Sequence, residues 1–503
     1  MTPSAPARTL SRLTGSVWIW PALVMLCVGG YRLTTPELWR DEVSTWTAST
    51  RGLGALLRML ENVDASNGVY YVLMHGWTTV FGDSPVALRL PSVLAMAGAA
   101  AFSSLTAQRM FDSRVAGLAA GLLFAVVPSI SRYAQEARSY ALVTCAVAAA
   151  TWLLLLALER PGLARWAGYS ACLALAGGAH LISLSTVGGQ LALVLLHLWR
   201  TRAALDRRLL WHYPLAVGAA LAPVAPLIAL GSSQVDRQLG WIPTPTPYVL
   251  RTFGHQLFAS VDVYHVFVVL ALATLLWSGR RLPALQLLLL AEVPVVGVWI
   301  ISLGDTSYFI DRYLLFTLPA WAALAGGGIG ALYATARRWA PARLCAVLAL
   351  AVIAVPAFQT LPQQRAIRGM FSHERYSDYR SAAAVIAAGY RPGDGVVAPH
   401  GDKNWAMIGP GLDFYLPQHV RPYPVFLQNT AAQAGDLYPV ECPVAVQCVG
   451  QGGRIWVVTF EGAGADPLQS LPGDQANALL SQYRATEVRQ VRGLTVSLLE
   501  RRG

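Results

Sequence analysis

Charge is what this sequence has least of. Asp, Glu, Lys and Arg make up only 13% of its 503 residues, against about 25% in an ordinary soluble domain. Hydrophobic residues reach 55% and the mean hydropathy is +0.45, a membrane composition. The formal net charge of +11 does not point to nucleic acid. The arginines sit in short loops between apolar runs, where they set topology. Histidine and cysteine are also scarce, nine and six residues, and none has metal-ligand spacing, which argues against a zinc site. Cys27, Cys145, Cys172 and Cys345 lie inside apolar runs and read as small hydrophobes. Cys442 and Cys448 lie in a polar region, close enough for a disulfide if that region is in an oxidising compartment. No small-residue cleavage site follows the run 17–28 behind Arg8 and Arg12, so it reads as a retained first helix. Solenoid repeats and low-complexity segments are lacking too.

What is present is a succession of apolar runs, each near the ~20 residues that cross a bilayer. With Arg8 and Arg12 in the cytoplasm, the first run carries the chain outward into an external loop, residues 34–85. Basic clusters at Arg109 and Arg114, Arg160 and Arg165, Arg200 to Arg208, Arg280 and Arg281, and Arg337 to Arg343 then mark successive inside loops. The count comes to about eleven spans. The expected fold is a mainly α membrane protein, a polytopic bundle over residues 1–358 followed by a small α/β domain over 359–503. In that domain Val396–Ala398, Ile455–Val458 and Leu494–Leu499 read as strands and residues 474–484 as a helix. The expected location is the plasma membrane, with the N-terminus cytoplasmic and the C-terminal domain external.

Asp41 and Glu42, in Leu38-Trp39-Arg40-Asp41-Glu42-Val43, are adjacent carboxylates at a membrane edge, where acids are costly. They could be a solvated loop start or a topology marker. The sharper reading is a general base, which takes a proton from an attacking hydroxyl. On an extended segment the two would face opposite ways, and Asp41 is the chosen base. Asp64 in the same loop is a second candidate carboxylate. The run Arg132-Tyr133-Ala134-Gln135-Glu136-Ala137-Arg138-Ser139-Tyr140 would, if helical, gather Arg132, Gln135, Glu136 and Tyr140 on neighbouring positions. It could be an interfacial anchor, or Arg138 or Arg132 could hold a phosphate with Glu136 orienting it. Arg312-Tyr313 and Arg89 sit at outer span ends, where an arginine either snorkels or meets a lipid phosphate. Glu292, mid-span, should face the bundle. His180, His255 and His265 are too scattered to argue as ligands.

Together these pieces resemble the polytopic GT-C glycosyltransferases, in the group of protein O-mannosyltransferases and lipid A aminoarabinose transferases, most of all the actinobacterial mannosyltransferase-like branch. The resemblance rests on Trp39-Arg40-Asp41-Glu42, Asp64 through Tyr70-Tyr71 to Trp77, Leu88-Arg89-Leu90-Pro91-Ser92, the Arg132–Tyr140 run, and Arg312-Tyr313 with Pro319. It covers residues 1–320 well and the C-terminal region loosely. It implies a polyprenyl-monophosphate sugar donor, usually mannose or arabinose, and inverting transfer to an external glycan, lipid or protein hydroxyl, with Asp41 as base. Many relatives carry a His-Pro-Pro or Lys-Pro segment before the tyrosine pair, where this chain has Ser66-Asn67-Gly68. The phosphate-binding role of that segment then moves to Arg138, Arg132 or Arg312. The acid pair could also hold a divalent cation, although oxygen ligands alone specify none. A transporter or flippase would instead place ionisable residues mid-membrane on interrupted helices. A non-catalytic envelope assembly protein would tolerate replacement of Asp41, Glu42 and Arg138.

Overall fold

The computed structural model describes residues 17–201, 208–277, 279–372, 377–398, 405–450, 452–460, 467–468 and 470–503. Arg8, Arg12, Arg202 and Arg207, used above as topology markers, lie outside the described residues. The chain divides into two compact units, and neither is continuous in sequence. Unit 1 comprises residues 1–33, 64–70 and 89–365; unit 2 comprises 34–63, 71–88 and 366–503. Most of the stretch 34–85, expected as a loop of the membrane domain, thus packs with the C-terminal region.

Unit 1 is helical, and all eleven apolar runs form helix in it. By length and apolarity, six described helices can cross a membrane, or eight if two bent pairs each count as one span. Ile19–Gly30 and Arg114–Val126 are apolar but shorter. The protein is a multi-pass membrane protein, with fewer full-length spans by this measure than the eleven expected. The bent pairs are Leu209–Leu221 with Ala225–Ser233, at 54°, and Pro247–Phe258 with Val261–Leu276, at 100°. Pro223 and Pro226 stand at the first break, where ring and missing N–H oppose a continuous helix. Ala259, at φ +52°, ends the helix at the second.

The buried centre of unit 1 is helix Leu318–Ala336, packed on Arg114–Val126 and Val261–Trp277. Its run Gly326-Gly327-Gly328-Ile329-Gly330 explains the close approach. A Cβ added at Gly326 would meet Ala116 O at 2.5 Å and Ala120 Cβ at 2.7 Å. Small residues at such contacts let backbones pack through van der Waals attraction, since lipid supplies no hydrophobic drive between helices. Glu292 is not turned to lipid: it hydrogen-bonds Trp321 of that central helix.

Unit 2 is α/β. Its strands are β1 (Gly395–Val397), β2 (Tyr423–Pro424), β3 (Leu427–Asn429), β4 (Val440–Glu441), β5 (Arg454–Phe460), β6 (Tyr483–Val491) and β7 (Leu494–Arg501). Five form a sheet of order β2-β1-β5-β7-β6, parallel at β2, β1 and β5 and antiparallel from β5 onward. The expected helix over 474–484 ends at Leu480, and β6 begins three residues later. The β6–β7 hairpin turns at Gly493, whose φ of +72° suits a residue without Cβ. Trp456 is fully packed, its Nε1–H donating to Asp394 Oδ2 at 2.9 Å. A two-stranded β3–β4 ribbon precedes the bonded pair Cys442–Cys448, whose Cα atoms are 6.4 Å apart.

Candidate active site

In unit 2, Asp41 and Glu42 lie in the first turn of a helix, Arg40–Ser49, and not on an extended segment. They therefore stand about 100° apart around the axis instead of on opposite faces. The sequence RDEVSTWTAS is poor in strong helix formers, so the helix depends on what surrounds it. Tyr415 OH accepts from Leu38 N–H at 2.9 Å, and Glu37 Oε1 accepts from Arg380 N–H at 2.6 Å. Met370 O accepts from Glu37 N–H at 2.8 Å. Further along, Trp46 donates its indole N–H to Asp83 Oδ2 at 2.8 Å and meets Phe414 edge-on. The two acids differ in access: Glu42 is 0% exposed, while Asp41 is partly open, with Arg40 Nε 3.7 Å from its Oδ1. The positive end of the helix favours a carboxylate there.

In unit 1 the Arg132–Tyr140 run is not one helix. Helix Pro128–Tyr133 stops, a turn carries Gln135, Glu136 and Arg138, and a new helix begins at Tyr140. The turn is held by its neighbours. Gln135 Nε2–H donates to Gly29 O at 2.8 Å and Tyr31 O at 2.7 Å, satisfying carbonyls at the C-terminal end of the first helix. Ser92 Oγ–H donates to Glu136 O at 2.6 Å. Arg89 is 0% exposed, and its Nη1–H donates to Leu33 O at 2.8 Å. The Leu88–Ser92 motif thus fixes backbone, and Arg89 is buried where headgroup contact was expected.

That turn and the 3₁₀ segment Asp311–Thr317 bring the charged groups of unit 1 together. Arg132 Nε lies 3.8 Å from Glu136 Oε2, and Glu136 is fully buried. Burial works against the charge on Arg132, but Tyr133, Glu136 and Asp311 outweigh it and raise its pKa. Arg312 sits over Trp241, its guanidinium carbon 5.4 Å from the ring centre, and over Tyr313 at 5.6 Å. His180 joins this group, a placement the sequence did not reveal. Its ring is 4.5 Å from Tyr313 and 5.8 Å from Tyr140. Burial, then Arg138 and Arg312, push its pKa down to about 3, so the ring is neutral at physiological pH.

Residues 64–70 belong to the same unit. Asp64 takes the left-handed conformation at φ +59°, and Gln234 Oε1 accepts from Ala65 N–H at 3.0 Å. Asn67 Oδ1 accepts from Ser139 Oγ–H at 3.1 Å, so the segment that lacks the relatives' basic residue is tied to the residue after Arg138. Tyr70 is buried. Among the described residues no group of three or more His, Cys, Asp or Glu side chains assembles a metal site.

Residues 68–229 match the family model described as dolichyl-phosphate-mannose-protein mannosyltransferase. No curated protein matches the sequence. Among solved structures, the fold matches ArnT from Cupriavidus metallidurans bound to undecaprenyl phosphate with a TM-score of 0.62 at 15% identity, covering 98% of both chains. The apo form of that protein gives 0.61 at 14% identity, over 97% of this chain and 98% of its own. The fold is therefore the GT-C type of ArnT, over nearly the full length.

Proposed function

We propose that this protein is an inverting glycosyltransferase that takes its sugar from a polyprenyl-monophosphate donor. The observation that carries the reading is the cluster of Arg132, Arg138 and Arg312 with Glu136, Asp311 and a neutral His180, in a fold also seen in a protein solved with undecaprenyl phosphate. Guanidinium groups suit phosphate oxygens and offset the charge that develops as a phosphate leaves. The family match over residues 68–229 includes Arg132, Glu136, Arg138 and His180.

In this mechanism Asp41 takes the proton of an acceptor hydroxyl. The oxygen attacks the anomeric carbon on the face opposite the phosphate as the bond from that carbon to the phosphate oxygen breaks. The polyprenyl phosphate leaves as an anion held by the arginines, and the anomeric configuration inverts. Asp41 is assigned as base over Glu42 because Glu42 is wholly buried. Mannose or arabinose is the expected sugar, and an external glycan, lipid or protein hydroxyl the acceptor. The N-terminus is assigned to the cytoplasm and unit 2 to the external side.

A transporter is the rival that the two broken helices favour. Against it, the charged cluster lies on the short helix Pro128–Tyr133, the turn after it and a 3₁₀ segment, and Glu292, the mid-helix acid, is bonded to Trp321. The test is mass spectrometry of products from membranes given a panel of polyprenyl-phosphate sugars, with parent and Asp41→Asn chains. Transfer by the parent and loss of at least about 100-fold in Asp41→Asn, the contribution typical of a general base, is expected. Unchanged transfer by Asp41→Asn removes the base assignment, and no transfer of any sugar removes the enzyme.

A further inference from the structure

Unit 2 contains a cavity of about 380 Å³ that the proposed chemistry does not use. That volume falls in the range of small-molecule sites, roughly 300–1,000 Å³. Its wall is mainly apolar, with Val397, Leu412, Val425 and Leu437 among the side chains that form it. Such walls normally carry a few polar groups that orient a ligand, and here Arg51, Asp413 and Glu441 are in the wall.

Arg51 is the informative one. It is only 8% exposed, with Nε–H donating to Thr47 O at 3.0 Å and Nη1–H to Asp436 O at 2.5 Å. Its Nη2 is buried and has no hydrogen-bond partner among the described residues. A buried charged donor left unpaired bears its full desolvation cost, so a guanidinium in that state is one acceptor short. Burial lowers the Arg51 pKa, with Asp436 and Tyr71 opposing, which also favours an added acceptor. Glu441 accepts from Gln475 Nε2–H at 2.7 Å, and burial raises its pKa, with Asp474 adding to the effect.

We infer that this cavity binds an acyl group, the apolar chain lying along the aliphatic wall and its carbonyl or carboxylate oxygen meeting Arg51. The inference is independent of the transferase reading, because it uses no residue assigned to that chemistry.

Trp46 also lines the cavity and supplies the readout. The full chain in lipid nanodiscs is titrated with 8-bromooctanoate, whose bromine quenches a tryptophan it touches. The Trp46 signal is the difference between the parent and Trp46→Phe. Saturable quenching is expected in the parent, about tenfold weaker affinity in Arg51→Gln, and no saturable phase in Ala432→Phe, which fills the cavity. Ala432→Phe keeps the test decisive if Arg51→Gln fails to fold. Quenching that never saturates, or that survives in Ala432→Phe, reports partition into the bilayer and overturns the site. Equal affinity for an 8-bromooctyl trimethylammonium probe overturns the acyl assignment.

Discussion

His180 shows how a residue with no local signal acquires one from its surroundings. It lies more than a hundred positions before Tyr313, yet their rings are 4.5 Å apart. Nothing in the sequence around it distinguishes a ring that will face two arginines from one that merely ends a helix. With its folded pKa depressed to about 3 by burial, Arg138 and Arg312, the protonated ring is disfavoured in the folded state alone. Above the ordinary histidine pKa of about 6.5 the two states bind protons equally here. Below it the unfolded chain gains a proton that the folded chain refuses, and stability falls. Thermal unfolding followed from pH 7 down to pH 4 should show this loss, and His180→Phe should flatten it; identical slopes for both would mean the ring is accessible to protons. Since His180 carries no charge at neutral pH, the proposed phosphate binding rests on the arginines. Replacing Arg312 by Ala should cut transfer by about 10- to 100-fold, the worth of about 1.5–3 kcal/mol in a hydrogen bond to a charged group. Transfer at parental rate would assign Arg312 to packing against Trp241 alone. Asp41, Glu42, Arg132, Glu136, Arg138 and Arg312 were all legible as polar residues out of place among apolar runs. Gln135 and Arg89 were legible too, but their work is on backbone carbonyls, which a sequence does not display.

At the scale of elements, the helices of unit 1 followed from apolar length alone, because in lipid every backbone group must be satisfied within its own segment. The helix Arg40–Ser49 did not, because its propensity is weak and its partners, Met370, Arg380 and Tyr415, are more than 300 residues away. The Arg132–Tyr140 run failed in the opposite sense: it has helical spacing but forms a turn, since the carbonyl ends of the first helix take its Gln135. Elsewhere an element depends on what it lacks. Gly326→Ala would force a methyl against Ala116 O and Ala120. Overpacking of this kind costs about 1–3 kcal/mol. The expected result is a lower unfolding midpoint in detergent, with helix content retained. Gly297→Ala, where nothing lies within 4 Å, should leave the midpoint in place. Equal behaviour of the two variants would mean the contact can relax.

The whole molecule is two units woven from six stretches of one chain. Composition shows the change of character near residue 359, but which early residues join the late ones depends on long-range contacts that leave no trace in composition. The Cys442–Cys448 bond closes a short loop in unit 2. By loop-closure entropy such a bond is worth about 2 kcal/mol. Cys448→Ser, or added reductant, should lower the unfolding free energy of unit 2 by about that amount, read from the denaturant dependence of tryptophan emission. No shift would mean the unfolded chain is not constrained by so short a loop.

The interleaving of the units also imposes an order in time. Residues 34–63 emerge from the ribosome before about 300 residues that separate them from Met370, Arg380 and Tyr415. At about 5–20 residues per second, that gap lasts roughly 15 to 60 s. During it the helix bearing Asp41 has none of those partners, and its weak propensity gives it little means of standing alone. The proposed base is thus placed near the end of synthesis, after the apolar helices of unit 1 have been made. A polypeptide stalled after residue 365 would hold Arg132, Arg138 and Arg312 but none of the partners that hold the helix bearing Asp41.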